Sequence, residues 1–158
     1  MGTKGREIIE ISLNELVTDL SKAYADQWME IYLSWYIKHN YFGDQAIYLI
    51  NTMENIYEQA LKRAEKLTER IRSLGGNTIY NPTEILRLGN CRYPETLNIN
   101  DIQSVLESLL LLKRCIIEVY NRILKKTFGK DPITYHIIES MLEEEVEEED
   151  KLEILKKR

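Results

Sequence analysis

Two carboxylates three residues apart, Glu145 and Glu148, sit inside the acidic run Glu143 to Asp150. They also continue an apolar series, Tyr135, Ile138, Met141 and Leu142 before them and Leu152 and Leu155 after, at helical spacing. Residues three apart share a helix face, so this pair faces inward while the rest of the run is a solvated face. Two inward carboxylates repel if left bare, and they call for a cation: a metal ion or a basic side chain. The two histidines, His39 and His136, fall near the end of one periodic segment and the start of another, and read as surface residues. Cys91 and Cys115 have no CxxC spacing and are too few for a disulfide scaffold. Either they pair, closing a loop of roughly 25 residues with a contribution of about 3 kcal/mol, or each is a small buried hydrophobe with a free thiol. The ten tyrosines and Trp28 and Trp35 lie mostly at helical spacing and read as core or subunit contact rather than a redox relay.

Four long segments must position these groups. The first opens with Ser12 and Glu15, a capping-box pair, runs through Leu13, Leu16, Leu20, Ala23, Gln27, Ile31, Ser34 and Ile37, and stops near Asn40 to Gly43. The second starts at about Asp44 as N-cap. Its stripe is Ile47, Ile50, Met53, Tyr57, Ala60, Ala64, Leu67, Ile71 and Leu74, and Gly75-Gly76 ends it. A crossover, 75–100, follows with no long period, long enough to be unusual, and Pro82-Thr83-Glu84 opens one short helix in it through Leu88. The third long segment begins near Asn100 and carries Ile102, Val105, Leu109, Leu112, Ile116, Val119 and Ile123. Asp131-Pro132 opens the fourth, an N-cap followed by proline at the first helical position. Two helices, a long crossover and two more helices, with nothing resembling strand-turn-strand, predict an all-α, ferritin-like four-helix bundle as one domain over 1–158, with 1–11 as an N-terminal tail.

Composition narrows the classes. Hydrophobic residues make up 44% and charged residues 30% of the 158, a globular balance. Only 3 Pro and 7 Gly leave room for long helices. The net charge of -5 argues against a nucleic-acid-binding body. Lys4, Arg6, Lys156, Lys157 and Arg158 read as charged, flexible termini, and DNA binding is not expected from them. The longest fully apolar run, Ala46 to Ile50, is far short of a membrane span. The opening MGTKGREIIEIS lacks a signal peptide's apolar stretch, so a cytoplasmic location and no membrane partner are expected. Enrichment in Lys and Glu hints at a thermophile source.

Several stretches in order and at matching spacing carry a family likeness: LSKAYADQW (Leu20 to Trp28), RAEKLTERIRSLGG (Arg63 to Gly76), NPTEIL with NCRY (Asn81 to Tyr93), CIIEVYN (Cys115 to Asn121) and KDPITYHIIESMLEEEVEEEDKLEIL (Lys130 to Leu155). Over nearly its whole length the chain resembles the Dps-like ferritins, including those called thioferritins. The resemblance implies a twelve-subunit shell, iron storage and protection against oxidative stress. It also implies a carboxylate-bridged di-iron site, with a Glu from each of two helices and a Glu-x-x-His pair from each of the other two. Most of those ligands are replaced. The first-helix Glu position, before the Trp, is Gln27; the second-helix pair is Ala60 and Arg63; the third-helix Glu, two residues before the Cys, is Lys113. On the fourth helix Glu145 keeps the Glu and Glu148 stands where His would be, while both cysteines occupy family positions.

Gln27, Ala60, Glu145 and Glu148 fall on or beside the apolar stripes, with Arg63 and Lys113 at their edge. The preferred reading is a charge swap: Arg63 and Lys113 turn toward Glu145 and Glu148 and form an internal ion-pair network, the guanidinium suiting a bidentate grip on carboxylate. Alternatively Lys113 snorkels outward, or Glu145, Glu148 and a neighbour such as Glu30 hold one weakly bound metal. No cofactor is then expected, where the family's would be iron. The functional expectation is a structural, non-catalytic cage subunit, assembling with itself or with a catalytic relative. The alternatives are an active iron-oxidising, iron-storing ferritin with a rearranged metal site, and a ferritin-fold binding or thiol-redox protein acting through Cys91 and Cys115.

Overall fold

The computed structural model describes residues 1–157; Arg158 lies outside the described residues. Six helices follow in order: α1 (Thr3–Glu7), α2 (Leu13–Asn40), α3 (Ala46–Ser73), α4 (Thr83–Leu88), α5 (Ile102–Thr127) and α6 (Pro132–Lys157), and among the described residues there is no strand. The architecture is the all-α, ferritin-like bundle. Its main seams join α2 to α3 and α5 to α6, and α4 packs on α2.

The helix ends explain where the chain turns. Ser12 Oγ accepts the Glu15 N–H, but the Glu15 carboxylate reaches Lys126 on α5 instead of returning to the cap. At the end of α3, Gly75 takes a left-handed φ of 92°. The Gly76 N–H then donates to Ile71 O and the Gly75 N–H to Arg72 O, the paired bonds of a Schellman stop. Asp131 accepts the N–H groups of Ile133 and Thr134 to start α6.

Three sequence expectations shift. The N-cap of α3 is Gln45, in left-handed conformation at φ 57°, rather than Asp44, whose carbonyl instead accepts from the Tyr41 hydroxyl. The segment 1–11 contains the single helical turn α1, and the Glu10 N–H donates to Lys130 O at the far hairpin. The inner face of α3 runs Leu49, Met53, Ile56, Ala60, Arg63 and Leu67, leaving Ile47 77% exposed. Placing Arg63 at the edge of the stripe selects the neighbouring phase; burying it selects this one.

Contacts along α2 and α5 set their relative sense. Lys126 reaches Glu15 and Asp19, Tyr120 reaches Gln27, and Lys113 reaches Glu30. As numbers rise on α2 they fall on α5, so the two run antiparallel. Each long helix spans roughly 40 Å. Because α3 returns to the end where α2 began and α5 starts at the opposite end, the intervening chain must traverse the whole bundle. That is why the crossover is long.

Candidate functional site

Midway along the bundle the apolar stripes of all four long helices give way to polar side chains at one level. α2 supplies Gln27 and Glu30, α3 supplies Arg63, α5 supplies Lys113 and Tyr120, and α6 supplies Glu145 and Glu148. All are fully buried except Glu148, at 7% exposure. Spacings of three, four or seven residues connect them to Leu20, Ala23 and Ile37 on α2 and to Ile138, Met141 and Leu152 on α6, so the same periodicity that builds the core carries these charges into it.

Lys113 Nζ lies 3.0 Å from Glu30 Oε1, 2.8 Å from Glu145 Oε2 and 2.9 Å from Glu148 Oε1. Its three N–H donors therefore meet three carboxylates, one each. Arg63 grips Glu148 with both terminal nitrogens, Nη1 to Oε2 at 2.8 Å and Nη2 to Oε1 at 2.9 Å, and Nη2 also reaches Glu30 Oε1 at 2.7 Å. Its Nε lies 2.9 Å from Glu145 Oε1, with the N–H directed at Gln27 Oε1, 3.2 Å away. Tyr120 donates its hydroxyl to the same Gln27 oxygen. Glu144 joins from the rim, 3.4 Å from Arg63 Nη1. Ala60 packs with Ile31 and Ala64 and offers no donor or ligand atom of its own.

Of the residues singled out in the sequence, Gln27, Arg63, Lys113, Glu145 and Glu148 come together here, with Glu30, named there only as a neighbour that could join the two glutamates, as the third carboxylate. The sequence stripe passed through Ile31 instead of Glu30. The available signal was the spacing Gln27, Glu30, Ser34, which is three then four and keeps one face. Three buried carboxylates thus face two buried cations, and one negative charge is left over. The interior answers with a proton. Burial pushes the Glu145 carboxyl up, and the adjacent Glu30 charge adds to it, to about 8. Glu30 goes the other way: burial would raise it, but the Lys113 and Arg63 charges together hold it below the usual carboxylate range. For both cations burial works against the charge, yet the surrounding glutamates together outweigh it and hold them protonated far above their ordinary range. Gln27 Nε2, Glu30 Oε2 and Glu145 Oε1 are buried without a hydrogen-bond partner.

The network is enclosed from the crossover side. Cys91 and Cys115 form a disulfide with Cα atoms 5.8 Å apart, tying the crossover to α5 two residues beyond Lys113. One residue before Gln27, the buried Asp26 accepts the Cys91 N–H at 2.9 Å and the Asn90 side-chain amide at 2.8 Å. Burial pushes its carboxyl up despite those bonds. Gly89 lets this segment come so close: a Cβ there would fall 2.9 Å from Asp26 Oδ1. On the opposite side a cleft of about 430 Å³, lined by Asn55, Gln59, Glu144, Glu147, Glu148 and Lys151 among others, reaches the Glu148 edge of the network. His39 and His136 are exposed and lie outside the cluster. No helix among the described residues is long and apolar enough to cross a membrane.

Known proteins with this arrangement of helices are numerous. A curated relative from Pyrococcus furiosus, named DNA protection during starvation protein, is 30% identical over 152 residues, 94% of this chain and 82% of the relative. A dodecameric thioferritin, the bacterioferritin-related protein of Bacteroides fragilis, superposes with a TM-score of 0.88 at 26% identity, covering 91% of this chain and 85% of that one. The Dps protein of Vibrio cholerae O1, described as a member of a broad superfamily of ferritin-like diiron-carboxylate proteins, superposes with a TM-score of 0.83 at 17% identity, covering 90% and 89%. The ferritin-like domain matches residues 12–157.

Proposed function

Because the chain belongs to the Dps-like branch of the ferritin-like family, we propose that it is a shell-forming subunit in which tethered side-chain cations have replaced the pair of irons. The observation that carries this reading is the Lys113 ammonium, seated 2.8–3.0 Å from three carboxylates where a metal ion would need them. The donor set does not suit two irons. Glu30 Oε1 is shared by Arg63 and Lys113, both Glu148 oxygens are held by Arg63, Gln27 and Ala60 supply no charge, and neither histidine is near. Adding a divalent cation beside two fixed positive charges costs Coulomb energy at short range. Iron oxidation is therefore not assigned to this chain alone.

What remains of the relatives' role is assembly and storage. The outward face of α2 carries Tyr32, Trp35 and Tyr36, and Phe42 follows at 84% exposure, apolar surface of the kind that subunit contacts cover. We read the chain as part of a twelve-subunit shell, formed with itself or with an iron-oxidising relative, and iron storage with oxidative-stress protection as the role of the mixed shell, where the relative supplies the oxidation. The net charge of -5 opposes DNA binding. Anaerobic Fe(II) titration of the size-fractionated protein, followed by a pulse of peroxide, tests this. The expected result is no stoichiometric Fe(II) binding and no ferric product above the protein-free rate. Binding near two irons per chain with fast oxidation would overturn it in favour of a working ferritin with a rearranged site.

A further inference from the structure

We infer that the Cys91–Cys115 disulfide is a thiol–disulfide exchange site for a low-molecular-weight thiol, and that the folded chain cycles between its oxidised and reduced forms. Both cysteines stand in the wall of an open cleft of about 730 Å³, with Leu86, Arg92, Glu95, Ser108 and Leu111 among its other lining residues. That volume falls in the range of small-molecule sites. The two cysteines are unequally placed. Cys91 is 5% exposed, whereas Cys115 on α5 is only partly buried. A thiolate entering the cleft therefore meets Cys115 first, and access decides which sulfur is attacked.

The segment that carries Cys91 has a second tether. Asp26, buried on α2, accepts the Cys91 N–H at 2.9 Å and the Asn90 side-chain amide at 2.8 Å. Neither hydrogen bond involves sulfur, so cleavage of the S–S bond leaves both in place. Reduction thus keeps Cys91 opposite Cys115, and reclosure is intramolecular at high effective concentration. The exchange balances in two steps. The incoming thiolate, RS⁻, bonds to Cys115 Sγ. The S–S bond breaks, and its electron pair leaves on Cys91 Sγ, which takes a proton from water. A second RS⁻ attacks the R-bearing sulfur of the mixed disulfide. RSSR departs, and Cys115 Sγ leaves as a thiolate and is protonated. Two electrons pass from two thiols to the chain, and excess RSSR drives the reverse. The site shares no side chain with the Lys113 network, so it stands or falls separately from the proposed function.

Glutathione serves as the probe. The full chain is incubated with reduced glutathione in native buffer, thiols are counted by alkylation and mass spectrometry, and circular dichroism is followed in parallel. The expected reduction rate rises in proportion to glutathione and does not change in urea below the unfolding transition. The helical signal is expected to persist, and oxidised glutathione to reclose the bond. A rate independent of glutathione, or one that climbs with urea, means that the bond is reached only through unfolding and overturns the inference. So does a reduced chain that loses helix at room temperature or does not reclose. Oxidised glutathione is expected to modify Cys115 in Cys91→Ser at least tenfold faster than Cys91 in Cys115→Ser; equal or inverted rates overturn Cys115 as the point of attack. Asp26→Ala is expected to lower the ratio of closed to open pair in a fixed glutathione buffer at least tenfold. Should that variant not fold, Asn90→Ala is expected to shift the ratio the same way, and an unchanged ratio in a folded variant overturns the tether.

Discussion

At Arg63 one side chain meets four carboxylates, three of them buried. A guanidinium has five donors in a rigid fork, so it can serve several acceptors at once where an ammonium cannot. Replacing it with Met would leave Glu148 without its bidentate partner inside the bundle. Breaking a buried pair by removing one side costs about 3–5 kcal/mol, and Arg63→Met is expected to lower unfolding stability by that amount, measured by urea denaturation. Glu145 gives a pH signature. Its folded-state value of about 8 lies above the ordinary 4.5, so the folded chain holds a proton that the unfolded chain has released. Stability from this group is full below the ordinary value and is lost as pH rises through about 8. Glu30, held low, acts oppositely and loses its contribution only in acid. The urea midpoint is expected to fall from pH about 5 to about 8, and Glu145→Gln, neutral at every pH, is expected to flatten that slope. A wild-type midpoint that rises across the same range would contradict the assignment.

The elements are held by ties that are independent of the central network. α6 begins at Asp131, which both caps the helix and accepts Arg70 Nη2 at 3.0 Å, while Arg70 Nε donates to Thr134. Burial would raise the Asp131 carboxyl, but the Thr134 and Arg70 interactions hold it low. The end of α3 is thereby fixed to the start of α6. Along the crossover the ties are the Cys91–Cys115 bond and the Asp26 anchor. Closing a loop of this length contributes about 3 kcal/mol through the unfolded state. Reduction, or Cys115→Ser, is expected to lower the thermal midpoint by roughly 6–12 °C for a domain of this size, while leaving the helical content intact at room temperature. An unchanged midpoint in reductant would mean that the bond constrains the unfolded chain less than its span implies.

For the molecule as a whole, the arrangement of α2 and α5 forces the crossover along the outside and leaves the aromatic face of α2 uncovered in the single chain. Apolar area of that kind is stabilising only once it meets a partner. The proposed shell predicts a particle of twelve times the 18.7 kDa chain mass in sedimentation. A monomer at micromolar concentration would remove the cage reading and leave the ion-pair core as an isolated bundle's interior. Restoring the ligand pattern by Gln27→Glu, Ala60→Glu, Arg63→His, Lys113→Glu and Glu148→His is expected to return Fe(II) binding. A folded variant without it would count against the positional correspondence.

Helix type, order and most boundaries were legible in the residues alone, because periodicity, Ser12, Asp131 and Gly75-Gly76 act locally on the backbone. So was the inward face of Glu145 and Glu148, since a spacing of three on an apolar stripe allows little else. Phase on α3, the cap at Gln45 and the place of Glu30 were decided only in three dimensions. Local patterning puts Arg63 and Lys113 only at the edge of the apolar stripes, and their turn inward was an inference from the charges they would meet. Four facing helices supply the carboxylates that make burying them tolerable, and that compensation is a property of tertiary packing which no single helix encodes.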